Sequence, residues 1–126
     1  MGETAKADLC YDKALKINPD YCPALNNYAY FMSCRGKKLK RCLEMSAKVI
    51  EADPENVTYL DTYGWILYKM KRYGEARNIF KKIMSLGGKE SVEILKHYAD
   101  VLSALGETAL ADGYRQQAKL KENGGR

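Results

Sequence analysis

An all-α solenoid of stacked helix hairpins is the fold class that three observations predict. A chemistry returns every 35 residues, each return carries a helical spacing of apolar positions, and small residues stand at matched places on paired segments. The chain has 126 residues, 46% of them hydrophobic and 29% charged, with three prolines and a net charge of +5. Such a composition supports a continuous core and excludes a disordered or collagen-like chain. The length divides into a leading segment of 21 residues and three units of 35. We therefore expect one domain over 1–126, with 2–21 as the second helix of a truncated repeat and full repeats at 22–56, 57–91 and 92–126.

The first helix of each unit is set by a recurring face. Leu25, Tyr28, Ala29 and Met32 return as Leu60, Tyr63, Gly64 and Leu67, and again as Leu95, Tyr98, Ala99 and Leu102. Spacings of three, four and seven place these residues on one side of a helix. The small residue at Ala29, Gly64 and Ala99 is expected to admit the backbone of a neighbouring helix. A turn follows at Gly36, Lys71 and Gly106, and then a second helix with small residues at Cys42, Ala76 and Ala111 and core residues seven further on at Val49, Ile83 and Ala118. Gly2, Ala7, Tyr11, Ala14 and Pro19 reproduce that turn, second helix and terminating proline, and Asp53-Pro54 repeats Asn18-Pro19. The predicted helices are 3–17, 22–34, 39–52, 57–70, 73–86, 92–105 and 107–121, with no strand.

The stretch Leu60, Tyr63-Gly64, Leu67, Tyr73, Ala76 and Phe80, together with Ala14-Leu15, Ile17 and Pro19, resembles the tetratricopeptide repeat family. That family's unit is 34 residues, whereas the pentatricopeptide RNA readers use 35. The additional residue lies in the hairpin turn of one unit, between Gly36 and Cys42, and in the Gly87-Gly88-Lys89-Glu90 connection of the next. Insertions at two different places point to a 34-residue ancestor. Hairpins of this kind cannot bury their apolar faces alone, and stacking them gives a right-handed superhelix with a concave surface.

The resemblance implies that the first helix of each hairpin lines the concave side and holds a peptide or helix segment of a partner protein. By register the groove residues are Asn26, Asn27, Tyr30 and Ser33, then Asp61, Thr62, Trp65 and Tyr68, then Lys96, His97, Asp100 and Ser103. Trp65, the single tryptophan, offers a large area with a polar tip for binding, although it can equally pack between hairpins. Relatives that hold acidic C-terminal tails need converging cations. Lys96 alone supplies one here, and Asp61 and Asp100 repel carboxylates, so the groove suits a neutral or basic segment. A structural segment that positions another part of a longer protein is the alternative role.

Charge is concentrated at the turns. Arg35, Lys37, Lys38, Lys40 and Arg41 lie at one, and Lys69, Lys71 and Arg72 at the next. Stacked units align them into a basic ridge, which serves either as a solvated edge or as a contact for nucleic acid or an anionic surface; nucleic acid is the less favoured partner.

Enzyme signatures are poor, and neither a cofactor nor a metal is expected. A single histidine, His97, rules out two-histidine motifs, and Cys10, Cys22, Cys34 and Cys42 form no C-x-x-C pair. Gly88-Lys89 is followed by Glu90 and has Ile83 where a phosphate loop needs its first glycine. Cys22 and Cys34, about 18 Å apart at the two ends of one predicted helix, cannot bond to each other within it. Free thiols favour a reducing compartment such as the cytoplasm, and no apolar run marks a leader or a membrane span. The stretch Leu60-Asp61-Thr62-Tyr63-Gly64-Trp65 resembles C-terminal repeats of bacterial envelope-associated or cytoplasmic assembly factors, which implies a bacterial source. The open face of Ala7, Cys10, Tyr11 and Ala14 is expected to meet further repeats or a second copy of the chain. Arg115, Gln116, Gln117 and Lys119 instead make the last helix read as a cap.

Overall fold

The computed structural model describes residues 21–124. The helix predicted over 3–17, with its open apolar face, lies outside them. Among the described residues, six α-helices form three consecutive hairpins: α1 (Cys22–Cys34) with α2 (Leu39–Ala52), α3 (Val57–Lys69) with α4 (Tyr73–Ser85), and α5 (Val92–Ala104) with α6 (Thr108–Glu122). No strand occurs among the described residues. Each helix begins and ends within one residue of the bounds read from the sequence.

Local chemistry accounts for those bounds. Pro23 opens α1, where its missing N–H costs nothing. The Asn56 side chain accepts from the Tyr59 N–H at 3.1 Å to start α3, and Ser91 caps α5 through the Ile94 N–H at 3.3 Å. Hairpin turns close through a left-handed residue at matched positions: Gly36 at φ 66°, Lys71 at φ 64° and Gly106 at φ 82°. Lys71 thus does the work of a glycine. The first hairpin turn spans residues 35–38, one more than 70–72 or 105–107, and takes up that residue with a second left-handed position at Lys38. In the 86–91 connection a short 3₁₀ turn, Gly88–Glu90, absorbs the other one.

Neighbouring hairpins pack α1 and α2 against α3, and α3 and α4 against α5. The main core joins Leu60, Leu67, Ala76, Phe80 and Ile83 of the second hairpin to Ile94, Tyr98, Val101, Leu102 and Ala111 of the third. A second cluster holds Tyr28, Ala29, Met32 and Cys42 of the first hairpin with Ile66. Cys42, Ala76, Ala111, Val49, Ile83 and Ala118 are all buried, as the small-residue register requires.

The space beside Gly64 is used differently from expectation. What approaches it is the side chain of Phe80 rather than a helix backbone: a Cβ on Gly64 would stand 2.7 Å from Phe80 Cε2. Phe80 is fully buried and lies nearly parallel to the Tyr98 ring, 5.6 Å between centroids, so one aromatic fills its own hairpin and docks the next. Burial of such a side chain stabilises by about 1.5–3 kcal/mol. On α6 only Ala111 and Ala118 are buried, and its outer face is less polar than its charges suggested, because Leu110 and Leu120 are exposed there.

Candidate functional site

The first helices α1, α3 and α5 lie side by side, because each packs on its successor, and the predicted groove residues fall on them. The structure brings four of these residues into one assembly. Asp61 on α3 and His97 on α5 meet with Oδ1 and Nδ1 2.9 Å apart, and both side chains are largely buried. An ionised carboxylate can only accept, so Nδ1 carries the hydrogen in that state. The imidazole also stacks on Trp65, 4.1 Å between centroids at 26°. Tyr30 reaches over from α1, its ring 6.1 Å from His97 and its hydroxyl donating to Glu93 Oε1 at 3.4 Å.

Trp65 therefore belongs to both readings offered by the sequence. It packs between the second and third hairpins and remains partly exposed on the same face. Its ring stacks on Tyr68 at 4.9 Å and carries the Lys69 ammonium 5.3 Å from its centroid. The Trp65 indole N–H is buried without a hydrogen-bond partner.

Beside this assembly is a recess of about 140 Å³ lined by Asn26, Asn27, Tyr30, Thr58, Asp61, Thr62 and Glu93. Asn26 is 5% exposed, and its Oδ1 has no hydrogen-bond partner. Burial, the largest influence, pushes the Asp61 carboxyl above its ordinary value; the His97 hydrogen bond opposes that shift and Glu93 adds to it. Burial likewise raises the Tyr30 hydroxyl, which keeps it a donor at neutral pH.

Other predicted residues spend their polar groups on different partners. Thr62 Oγ1 donates to the Thr58 carbonyl at 3.4 Å, and Ser33 Oγ to the Tyr30 carbonyl at 2.7 Å, so both serve their own helix. Lys96 pairs with Glu122 at 3.1 Å. Asp100 and Ser103 both receive Arg115 of α6, each at 3.2 Å. Lys96 is the one cation among the groove positions named from the sequence, and α6 adds Arg115, which lines a second recess of about 290 Å³ together with Lys96, Asp100 and Ala118.

Thr58, Glu93 and Arg115 were not foreseen at the groove. Glu93 lies one turn before His97 and seven residues before Asp100, a spacing that puts all three on one helix face. That signal was present in the sequence. Arg115 comes from a second helix, and no repeat register places it beside Asp100.

Of the basic residues, Arg35, Lys37, Lys38, Lys71 and Arg72 lie in the hairpin turns, Lys40 and Arg41 in the first turn of α2, and Lys69 at the end of α3; not all of them project freely. Arg72 is held by Glu75, Lys69 by the Trp65 ring, and the Arg35 guanidinium lies 5.6 Å from the Phe31 centroid. Lys37, Lys38, Lys40, Arg41 and Lys71 are exposed. Cys22, Cys34 and Cys42 are free thiols, and burial raises the Cys42 thiol. Among the described residues, no cluster of three or more His, Cys, Asp or Glu could hold a metal ion, and no helix is long and apolar enough to cross a membrane.

Two sequence profiles described as tetratricopeptide repeat match the chain, one over residues 10–44 and one over 57–86. No curated protein matches it. Among solved structures, MamA from Desulfovibrio magneticus RS-1 superposes with a TM-score of 0.77 at 15% identity, over 98% of this chain and 68% of that one. MamA of strain MSR-1 gives 0.71 at 19%, over 98% and 70%. YrrB, described as a TPR protein with an unusual peptide-binding site, gives 0.71 at 28%, over 90% of this chain and 58% of its own.

Proposed function

The chain belongs to the tetratricopeptide repeat family, and from that premise we propose that it is a non-catalytic interaction scaffold whose α1, α3 and α5 hold a peptide or helix segment of a partner protein. The repeats on this reading are 22–56, 57–91 and 92–126. One observation carries it: Tyr30, Asp61, Trp65 and His97, from three different hairpins, converge on one face beside a recess that retains an unpartnered amide oxygen. Convergent aromatic and polar groups in a concave site are what a binding hot spot uses. YrrB, the most similar in sequence of the three structures, is itself described as having a peptide-binding site, which supports the reading.

Affinity capture from a cell extract tests it. Asn27→Arg puts a bulky cation at an exposed groove position and should abolish capture without unfolding the chain, whereas Glu44→Ala on α2 should leave it intact. The stacking of Trp65 on His97 favours a second reading, in which this face only joins hairpins into a longer solenoid. Capture that survives both Asn27→Arg and Tyr30→Ala supports that second reading.

A further inference from the structure

The recess beside the Asp61–His97 pair is defined well enough to say what chemistry it takes, given that the groove binds a protein segment. Its charged lining among the described residues consists of two carboxylates, Asp61 and Glu93, and no cationic side chain lines it. Asp61 spends one oxygen on His97, which leaves its second oxygen as an acceptor. Glu93 is exposed and receives only a long hydrogen bond, 3.4 Å, from Tyr30. Asn26 adds the buried Oδ1 that has no partner. The last torsion of an asparagine side chain is soft, so this amide can turn to meet a ligand.

Both charges in the lining are therefore negative, and acceptors are offered from α1 (Asn26), α3 (Asp61) and α5 (Glu93) together. An unpaired acceptor in such a place costs free energy that a donor from outside would recover. A lysine ammonium fits this set: it is compact, has three donors and needs acceptors arranged around a point charge, whereas arginine presents a flat fork. The Tyr30 ring supplies an aromatic wall for the cation or its methylene stem.

We propose that this recess is a specificity pocket for a single lysine side chain of the bound segment. Asn26, Asp61 and Glu93 receive the ammonium, and the stem lies along Tyr30. The neighbouring Trp65 and Tyr68 then take the rest of the segment, which explains how a chain of net charge +5 accepts a basic partner: the attraction is local.

The test is a random-peptide display selection on the full chain, followed by binding measurements on the enriched peptides. Enrichment of one fixed lysine is expected. Replacing that lysine by norleucine should weaken binding about tenfold or more, and Glu93→Gln in the protein should do the same, as loss of a charge-assisted hydrogen bond predicts. Glu93→Gln alters an exposed side chain and should leave the melting temperature in place. In the Glu93→Gln protein, norleucine replacement should then cost much less than in the original. Peptides that lose binding with Asn27→Arg but carry no required lysine, or that require arginine instead, overturn the lysine pocket and leave the groove reading standing. Failure to select any peptide that Asn27→Arg disrupts counts against both.

Discussion

Asp61 and His97 belong to different hairpins, 36 positions apart in sequence, yet their side chains meet at 2.9 Å in a largely buried setting. This contact ties the second repeat to the third at the floor of the groove, so it couples the stability of the stack to the shape of the proposed binding face. Asp61→Ala leaves a buried imidazole without its acceptor, and removal of one partner of a buried polar pair costs about 1–3 kcal/mol. A double-mutant cycle with Asp61→Asn and His97→Gln, read by urea denaturation, should give a coupling energy of about 0.5–3 kcal/mol. Additive single effects would show that the pair does not hold the hairpins together.

The same carboxyl gives a pH dependence of definite sign. Burial raises it above the ordinary value of 3.8, and the His97 hydrogen bond opposes but does not cancel that. The folded state then holds the Asp61 proton more tightly than the unfolded chain does. Its contribution to stability is full below pH 3.8 and is lost as pH rises through the folded value. The stability of the original chain minus that of Asp61→Asn should therefore decrease as pH is raised from 3.8. A difference that grew with pH would mean that the ion pair outweighs burial.

Phe80 and Gly64 form a packed couple that can be broken from either side. Phe80→Ala removes a fully buried ring and should destabilise by about 3–5 kcal/mol. Gly64→Ala sets a methyl 2.7 Å from Phe80 Cε2 and 3.2 Å from Ile79 Cγ2; the ring must shift, at a cost of about 1–3 kcal/mol. Thermal unfolding of both variants checks this, and a neutral Gly64→Ala would mean that the ring has room to retreat.

Lys71 offers a change in the opposite direction. It holds φ 64° where the other hairpins place Gly36 and Gly106, and its side chain is exposed. Lys71→Gly relieves the left-handed strain against a cost in unfolded-state entropy, and should stabilise by about 0.5–1 kcal/mol. A lowered urea midpoint would show that the lysine makes an interaction outweighing its strain.

These cases also mark what could be read from the sequence. The hairpins were legible because a repeat states the same helix face several times: Leu25, Leu60 and Leu95 each start it, and each is buried. Turn positions were legible too, since Lys71 was identified by its register with two glycines and shares their backbone conformation. The groove was legible as a set of positions and not as a set of contacts. Register places Asp61 opposite Lys96, whereas the packing of α3 on α5 sets it against His97, and Lys96 turns instead to Glu122. Such pairings depend on the stagger and rotation between hairpins, which a one-dimensional period does not encode. Arg115 beside Asp100 shows the same limit, because the pair joins a first helix to a second one.

Trp65 supplies the most direct test of the binding face, since it is the single tryptophan and its indole N–H gives one nitrogen–proton resonance. The measurement is a titration of the nitrogen-15-labelled chain with a segment of a captured partner. If the first helices bind the segment, the indole peak shifts together with the amides of Asn27, Tyr30 and Lys96. Shifts confined to the second helices and the basic turns, with the indole unmoved, would contradict it.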